Sequence, residues 1–140
     1  MSKRGAMIKF EILGQPIAKA RPRMTKAGVA YTPQRTTNYE SLVRYTYQSL
    51  YGNREPLKGR IEAHIVAVFP VPKSYSKKLT TALLAGSRNY DKKPDCDNLA
   101  KSVLDALNGI AYNDDSQITS LHVVKEYGIQ PKVIIELEEI

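Results

Sequence analysis

The sequence predicts an α+β domain: a roughly four-stranded mixed sheet with helices packed on it, in the order β-α-β-α-α-β-β. Three observations carry this. Apolar residues alternate with polar ones near both ends of the chain and in its middle. Two stretches with apolar residues three and four apart lie between those segments. The last two strand-like runs are separated only by a short turn. With 140 residues, 42% hydrophobic and 25% charged, the chain has room for one domain, residues 1–140, with a modest core. Residues 1–7 read as a flexible tail.

Each element has its own signal. Ile8, Phe10 and Ile12 alternate with Lys9 and Glu11 up to Gly14, the pattern of a half-buried strand. Between Gln15 and Pro33, Pro16, Pro22, Gly28 and Pro33 are interspersed with Lys19, Arg21, Arg23 and Lys26. Prolines lack the backbone donor a helix needs, so this is read as a basic loop. From Thr36, the residues Tyr39, Leu42, Val43, Tyr47 and Leu50 recur at helical spacing until Gly52. Ile61, Ala63, Ile65, Ala67 and Phe69 form an unbroken alternation stopped by Pro70, which predicts a strand. Ser76 to Leu84 is expected to be a short helix, with a polar loop through Gly86 and Ser87. A further helix is expected from about Asn98 to Asn108, with Gly109 at its C-terminal cap. Strands near Ile118–Tyr127 and Val133–Leu137 close the chain, joined by a turn at Gly128 to Pro131.

The net charge of +7 is unevenly placed. Residues 1–60 hold twelve Lys/Arg against three acids, a net of +9, while residues 61–140 hold nine against eleven, a net of −2. A basic N-terminal part suits a polyanion, because each neutralised phosphate releases counterions. No apolar run approaches the ~20 residues of a membrane helix, and no apolar stretch in Met1–Met7 resembles a signal peptide, so a cytoplasmic protein with no membrane partner is expected. A single cysteine gives neither an internal disulfide nor a zinc site by itself.

The acids of the second part are clustered. In Lys93-Pro94-Asp95-Cys96-Asp97-Asn98-Leu99-Ala100-Lys101, Pro94 biases the preceding residue towards extended geometry. In an extended segment Asp95 and Asp97 share one side and Cys96 takes the other, as a small buried hydrophobe. Two such carboxylates suit Mg²⁺. Along the following helix Leu99, Val103, Ala106 and Leu107, with Leu104, make the apolar face. Asp97, Lys101, Asp105 and Asn108 make a polar stripe. Tyr112-Asn113-Asp114-Asp115-Ser116-Gln117 adds two acids in a loop before a strand. Structural roles stay open for each of these residues: Asp97 as N-cap of the helix, Asp114 and Asp115 as turn residues, Lys101 and Asp105 as a solvated pair.

Competing motifs fail. A calcium loop needs Asp or Asn where Leu99 stands and Gly where Ala100 stands, and no phosphate-binding Gly-Lys loop or paired-cysteine pattern occurs. His64 and His122 fall inside expected strands and read as strand residues. No base is nominated for a Ser or Cys nucleophile.

Asp95-Cys96-Asp97-Asn98-Leu99-Ala100-Lys101, Leu104-Asp105-Ala106-Leu107-Asn108-Gly109 and Asp114-Asp115-Ser116-Gln117-Ile118 together resemble the RusA family of Holliday-junction resolvases, most closely its phage- and prophage-borne members. Lys19-Ala20-Arg21-Pro22-Arg23, Tyr31-Thr32-Pro33 and the run from Thr36 to Glu40 resemble the N-terminal half of the same members, so the likeness spans about residues 8–137. The resemblance implies a catalytic set of Asp95, Asp97, Asp115 and Lys101. The three aspartates, with Asp114 as an auxiliary, would hold one or two Mg²⁺ ions, for which Mn²⁺ would substitute. It also implies a homodimer that nicks opposed strands of branched DNA in pairs, leaving 5′-phosphate and 3′-hydroxyl ends, in recombination and repair. Lys19, Arg21, Arg23, Arg35 and Lys93 are the expected DNA contacts, with Lys73, Lys77, Lys78 and Lys92 extending the surface. The alternatives are a nuclease for other branched or flapped DNA and a non-catalytic basic DNA-binding accessory protein.

Overall fold

The computed structural model describes residues 5–20, 22–52 and 54–140. In chain order it contains β1 (Met7–Leu13), β2 (Arg23–Met24), β3 (Ala30–Tyr31), α1 (Gln34–Tyr51), β4 (Ile61–Pro70), α2 (Lys77–Leu84) and α3 (Cys96–Leu107). A 3₁₀ turn (Asp115–Gln117), β5 (Ile118–Gly128) and β6 (Lys132–Glu139) complete it. Four strands form a mixed sheet in the order β1-β6-β4-β5, and β2 and β3 pair separately. β4 and β5 run parallel, whereas β6 lies antiparallel to both β1 and β4. A parallel pair needs a crossover, and α3 lies within that return, which brings an acid-bearing helix alongside β5.

Alternation decides which face is covered. Ile8, Phe10 and Ile12 of β1, Ala63, Ile65 and Ala67 of β4, and Val133, Ile135 and Leu137 of β6 are buried against Tyr39, Val43 and Tyr47 of α1 and Leu99, Val103 and Leu107 of α3. Each such aliphatic or aromatic side chain contributes about 1.5–3 kcal/mol when fully buried. Each edge strand is covered in part. On β1, the Tyr51 hydroxyl donates to the Lys9 carbonyl (3.0 Å) and accepts from the Lys9 amide (3.3 Å). On β5, the Lys125 carbonyl accepts from the Tyr90 amide at 3.3 Å, and the Val123 carbonyl lies 3.9 Å from the Cys96 thiol. A strand edge otherwise exposes unpaired backbone groups to other chains.

Several expectations are corrected. Leu42 and Leu50 are exposed, because Thr36, Tyr39, Val43 and Tyr47 already form the buried line of α1 and the two leucines fall on its flanks. The basic loop is not wholly irregular: β2 and β3 make a small hairpin with Gly28 at φ +83°. Residues 5–7 do not belong to a tail, since Met7 begins β1 and the Gly5 amide donates to the Glu139 carbonyl at 2.7 Å. Residues 1–4 lie outside the described residues. Gly52 ends α1 in right-handed geometry, and its missing Cβ matters sterically, because one would meet the Gln48 carbonyl oxygen at 2.5 Å. Gly109 follows α3 at φ +85°, the left-handed position expected of it. No helix among the described residues is long and apolar enough to cross a membrane.

Candidate active site and nucleic-acid interface

The acidic segment begins differently from its expected form. The approach through residues 92–94 is bent rather than extended, with a cis Lys93–Pro94 peptide. α3 starts two residues early, at Cys96, so Asp95 is its N-cap residue and Asp97 lies in its first turn. Asp97 is therefore not the cap. Asp95 occupies the cap position with extended backbone, yet its side chain makes no capping bond. Capping explains neither carboxylate. Cys96 is half-buried against the β5 edge rather than fully buried.

The bent loop is held from β5. The Lys125 ammonium donates to the carbonyls of Lys92 (2.8 Å) and Pro94 (3.0 Å). Tyr90 stacks on Phe69 with ring centroids 3.9 Å apart and meets Tyr127 edge-on at 5.3 Å. Its hydroxyl donates to the Lys93 carbonyl at 3.1 Å. These contacts fix the residues just before Asp95 to the end of the parallel strand pair. The sequence carried no signal for Lys125 or Tyr90 as positioning residues, because both lie at least five residues from the acids.

The second acidic segment is built around Gln117. Its side-chain oxygen accepts from the Asn113 and Asp114 amides (2.8 and 2.9 Å), and its side-chain nitrogen donates to the carbonyls of Leu57 (2.8 Å) and Gly59 (2.9 Å). Asp114 accepts from the Ser116 amide at 3.1 Å, closing a reciprocal cap on the 3₁₀ turn. Hydrogen bonds from Ser116 hold the Asp114 carboxyl below its ordinary value. Asp114 thus has a structural task, while Asp115 carries its carboxylate into solvent beside the α3 groove.

That groove, a cavity of about 300 Å³, is lined by Asp97, Lys101, Asp105, Asp115, Ile118 and Leu121, with Ala100 and Leu104 at its base. Among the described residues, no hydrogen bond or ion pair engages the side chains of Asp95, Asp97, Lys101 or Asp115. The three aspartates are exposed and offer hard oxygen donors, the chemistry a Mg²⁺-type ion requires. They are not drawn into the mutual spacing of a finished ligand set: among the described residues, that spacing of 4.8 Å is met only by Glu62, His64 and His122. Like charges resist such closeness unless a cation offsets them. Burial raises the Tyr112 hydroxyl far above its ordinary value, and the charges of Asp115, Asp105 and Asp114 raise it further. Its proton is committed to the Leu104 carbonyl.

Lys19, Arg23, Arg35 and Lys93 come together around an adjacent cavity of about 490 Å³, which Pro94 also lines. Arg21 lies outside the described residues. The Lys19 amide donates to the Asn98 carbonyl (2.9 Å) and the Ala20 amide to the buried Thr36 hydroxyl (3.1 Å). The basic segment is thereby tied to the starts of α1 and α3. The Lys19 ammonium is 2.9 Å from Glu40 and 3.4 Å from Asp105. Burial opposes its charge, but the two carboxylates outweigh that and hold its pKa above the ordinary value. Asp105 is therefore paired with Lys19 rather than with Lys101. Arg23, Arg35 and Lys93 are exposed and face the cleft without an acidic partner among the described residues.

A family model described as "Endodeoxyribonuclease RusA" matches residues 14–138. The chain belongs to the RusA family. It is also 33% identical over 138 residues to "Uncharacterized protein YqaN" of Bacillus subtilis (strain 168), across 95% of this chain and 96% of that one. The RusA match contains both acidic segments and the basic segment, so the groove and the cleft described above lie inside the shared domain. RusA membership makes this chain a nuclease-family protein of the kind that acts on branched DNA, in agreement with the motif resemblance.

Proposed function

We propose that the protein is a Mg²⁺-dependent structure-specific endonuclease that resolves four-way DNA junctions as a homodimer, one nick per subunit in opposed strands. The observation that carries this is the juxtaposition of two surfaces: an acidic groove whose Asp97, Lys101 and Asp115 side chains have no partner among the described residues, and a cleft of exposed cations that reaches Lys93 and Pro94, just ahead of α3 in the chain. The basic cleft would hold the phosphate backbone by charge, without regard to sequence. Asp95, Asp97 and Asp115 would hold the divalent ion, with Mn²⁺ as a substitute and Asp114 confined to shaping the loop. When bound there, the ion would supply Lewis acidity towards a phosphate oxygen and lower the pKa of water. The Lys101 ammonium would offset charge gathering on the phosphoryl oxygens, a term worth about 2.7–4 kcal/mol for a well-placed donor.

A synthetic four-way junction with a mobile core tests the proposal. Paired nicks in opposed strands are expected in Mg²⁺, none in EDTA, and none on linear duplex. Asp97→Asn should abolish cutting and leave junction binding close to wild type, because Asp97 is not the helix cap and the variant keeps the side chain's shape. Cleavage by this variant at the wild-type rate would remove Asp97 from the site. Binding without any nicking by the wild-type protein would make it an accessory DNA-binding protein, and preferential cutting of single-strand branches would make it a flap nuclease.

A further inference from the structure

The sheet face turned away from α1 and α3 carries a second group of ligand-type side chains. The parallel register places His64 beside His122 and Glu62 beside Ser120. Because alternate residues share a face, all four project on the side opposite the buried Ala63 and Ile65. The imidazole rings stack with centroids 4.6 Å apart and planes 6° from parallel. Glu62 reaches both: one carboxylate oxygen is 3.6 Å from His64 Nε2 and the other 3.6 Å from His122 Nε2. One ligand atom from each of the three residues lies within 4.8 Å of the other two. On β6, Glu136 pairs in register with His64 and Glu138 with Glu62, and Glu136 is itself engaged by the Lys9 ammonium at 3.1 Å.

We propose that Glu62, His64 and His122 form a binding site for a transition-metal dication of the zinc class, separate from the carboxylate groove. Two imidazole nitrogens and one carboxylate oxygen are a borderline donor set, which suits Zn²⁺, Co²⁺ or Ni²⁺ and not Mg²⁺, an ion that prefers oxygen and retained water. The backbone presets the ligands, since strands at the usual 4.7–4.9 Å spacing hold both imidazoles at adjoining positions. Binding needs the rings to turn out of their parallel stack so that both nitrogens aim at one point. The side chains have room for this, being 41% and 56% exposed. Ser120 Oγ lies 3.4 Å from Glu62 and would orient that carboxylate as a supporting hydrogen-bond donor. Three protein ligands leave a fourth position for water or an incoming donor. The two sites sit on opposite faces of β5, because Leu121 lines the acidic groove while its neighbour His122 faces the other way.

The test is a Zn²⁺ titration of the full chain, without an affinity tag, against a chromophoric zinc indicator in excess Mg²⁺. Binding of one Zn²⁺ per chain is expected, with resonances of the two imidazoles shifting together by NMR. Loss of an orienting partner alone costs metal sites roughly 10–100-fold, so His64→Gln/His122→Gln should weaken binding by at least that factor. Glu62→Gln supplies the same readout should the double variant lose its fold. Asp97→Asn should bind Zn²⁺ as wild type does. Equal affinity in the histidine and Glu62 variants, displacement by Mg²⁺, or loss of binding in Asp97→Asn would each overturn the assignment.

Discussion

Replacing Gln117 with alanine removes four hydrogen bonds at once, and the cost can be worked from their surroundings. The two bonds to the Leu57 and Gly59 carbonyls are part-buried, while those from the Asn113 and Asp114 amides are exposed. At about 1 kcal/mol for each part-buried bond and about 0.5 kcal/mol for each exposed one, the loss totals about 3 kcal/mol. For a chain of this size that corresponds to a fall in Tm of roughly 9 °C. Gln117→Glu separates the halves of the network. It keeps an acceptor for the two amides but sets a carboxylate oxygen against two carbonyls, so at neutral pH it should cost at least as much as alanine. Urea denaturation gives the stability change, and junction cleavage under conditions where the variants remain folded reports on the placement of Asp115. A loss below about 0.5 kcal/mol for alanine, or a glutamate variant as stable as wild type, would refute the idea that this side chain holds the acidic loop to the 57–59 segment.

Lys101→Met should lower kcat by about 10²–10³-fold while leaving junction affinity within a few fold; an equal loss in binding would place the ammonium in substrate capture instead. Neutralising Arg23 and Arg35 together should reduce the salt dependence of DNA binding by about 0.9 in log–log slope for each phosphate no longer neutralised, and an unchanged slope would take both out of the interface. Lys125→Met leaves the Lys92 and Pro94 carbonyls without their donor and should free the loop before Asp95, seen as faster amide exchange over residues 90–95 and a fall in kcat at constant global fold. Because the Asp114 carboxyl is held below its ordinary value, its contribution is complete above about pH 4 and fades as pH falls through the lowered value. Asp114→Asn should therefore make loop stability less sensitive to acid, measured as NMR shifts of the Ser116 amide.

Strand and helix identities were legible from residue order because burial on one side imposes a period on the chain. Ile8-Phe10-Ile12, Ile61 to Phe69 and Leu99 to Leu107 show that period and form the elements it predicts. Leu42 and Leu50 show its limit, since helical spacing marks a face without saying how wide the covered stripe is. α3 starts at Cys96 rather than Asn98, because either Asp95 or Asp97 suits a cap position and local sequence does not choose between them. Local sequence likewise could not reveal that Lys19, although it lines the cleft, has its charge offset by Glu40 and Asp105, sixty-five residues apart from one another.

By itself the sequence determined the fold class, the apolar face of each main element, the basic-then-acidic division of the chain and the RusA motif residues, because these depend on spacing within short windows. Only the tertiary structure decided which side chains are free and which are engaged. Lys125 under the loop, Gln117 between two segments, and His64 stacked on His122 all arise from strand register and crossover. Those pairings are set by burying a common core over long separations, and no local pattern records them.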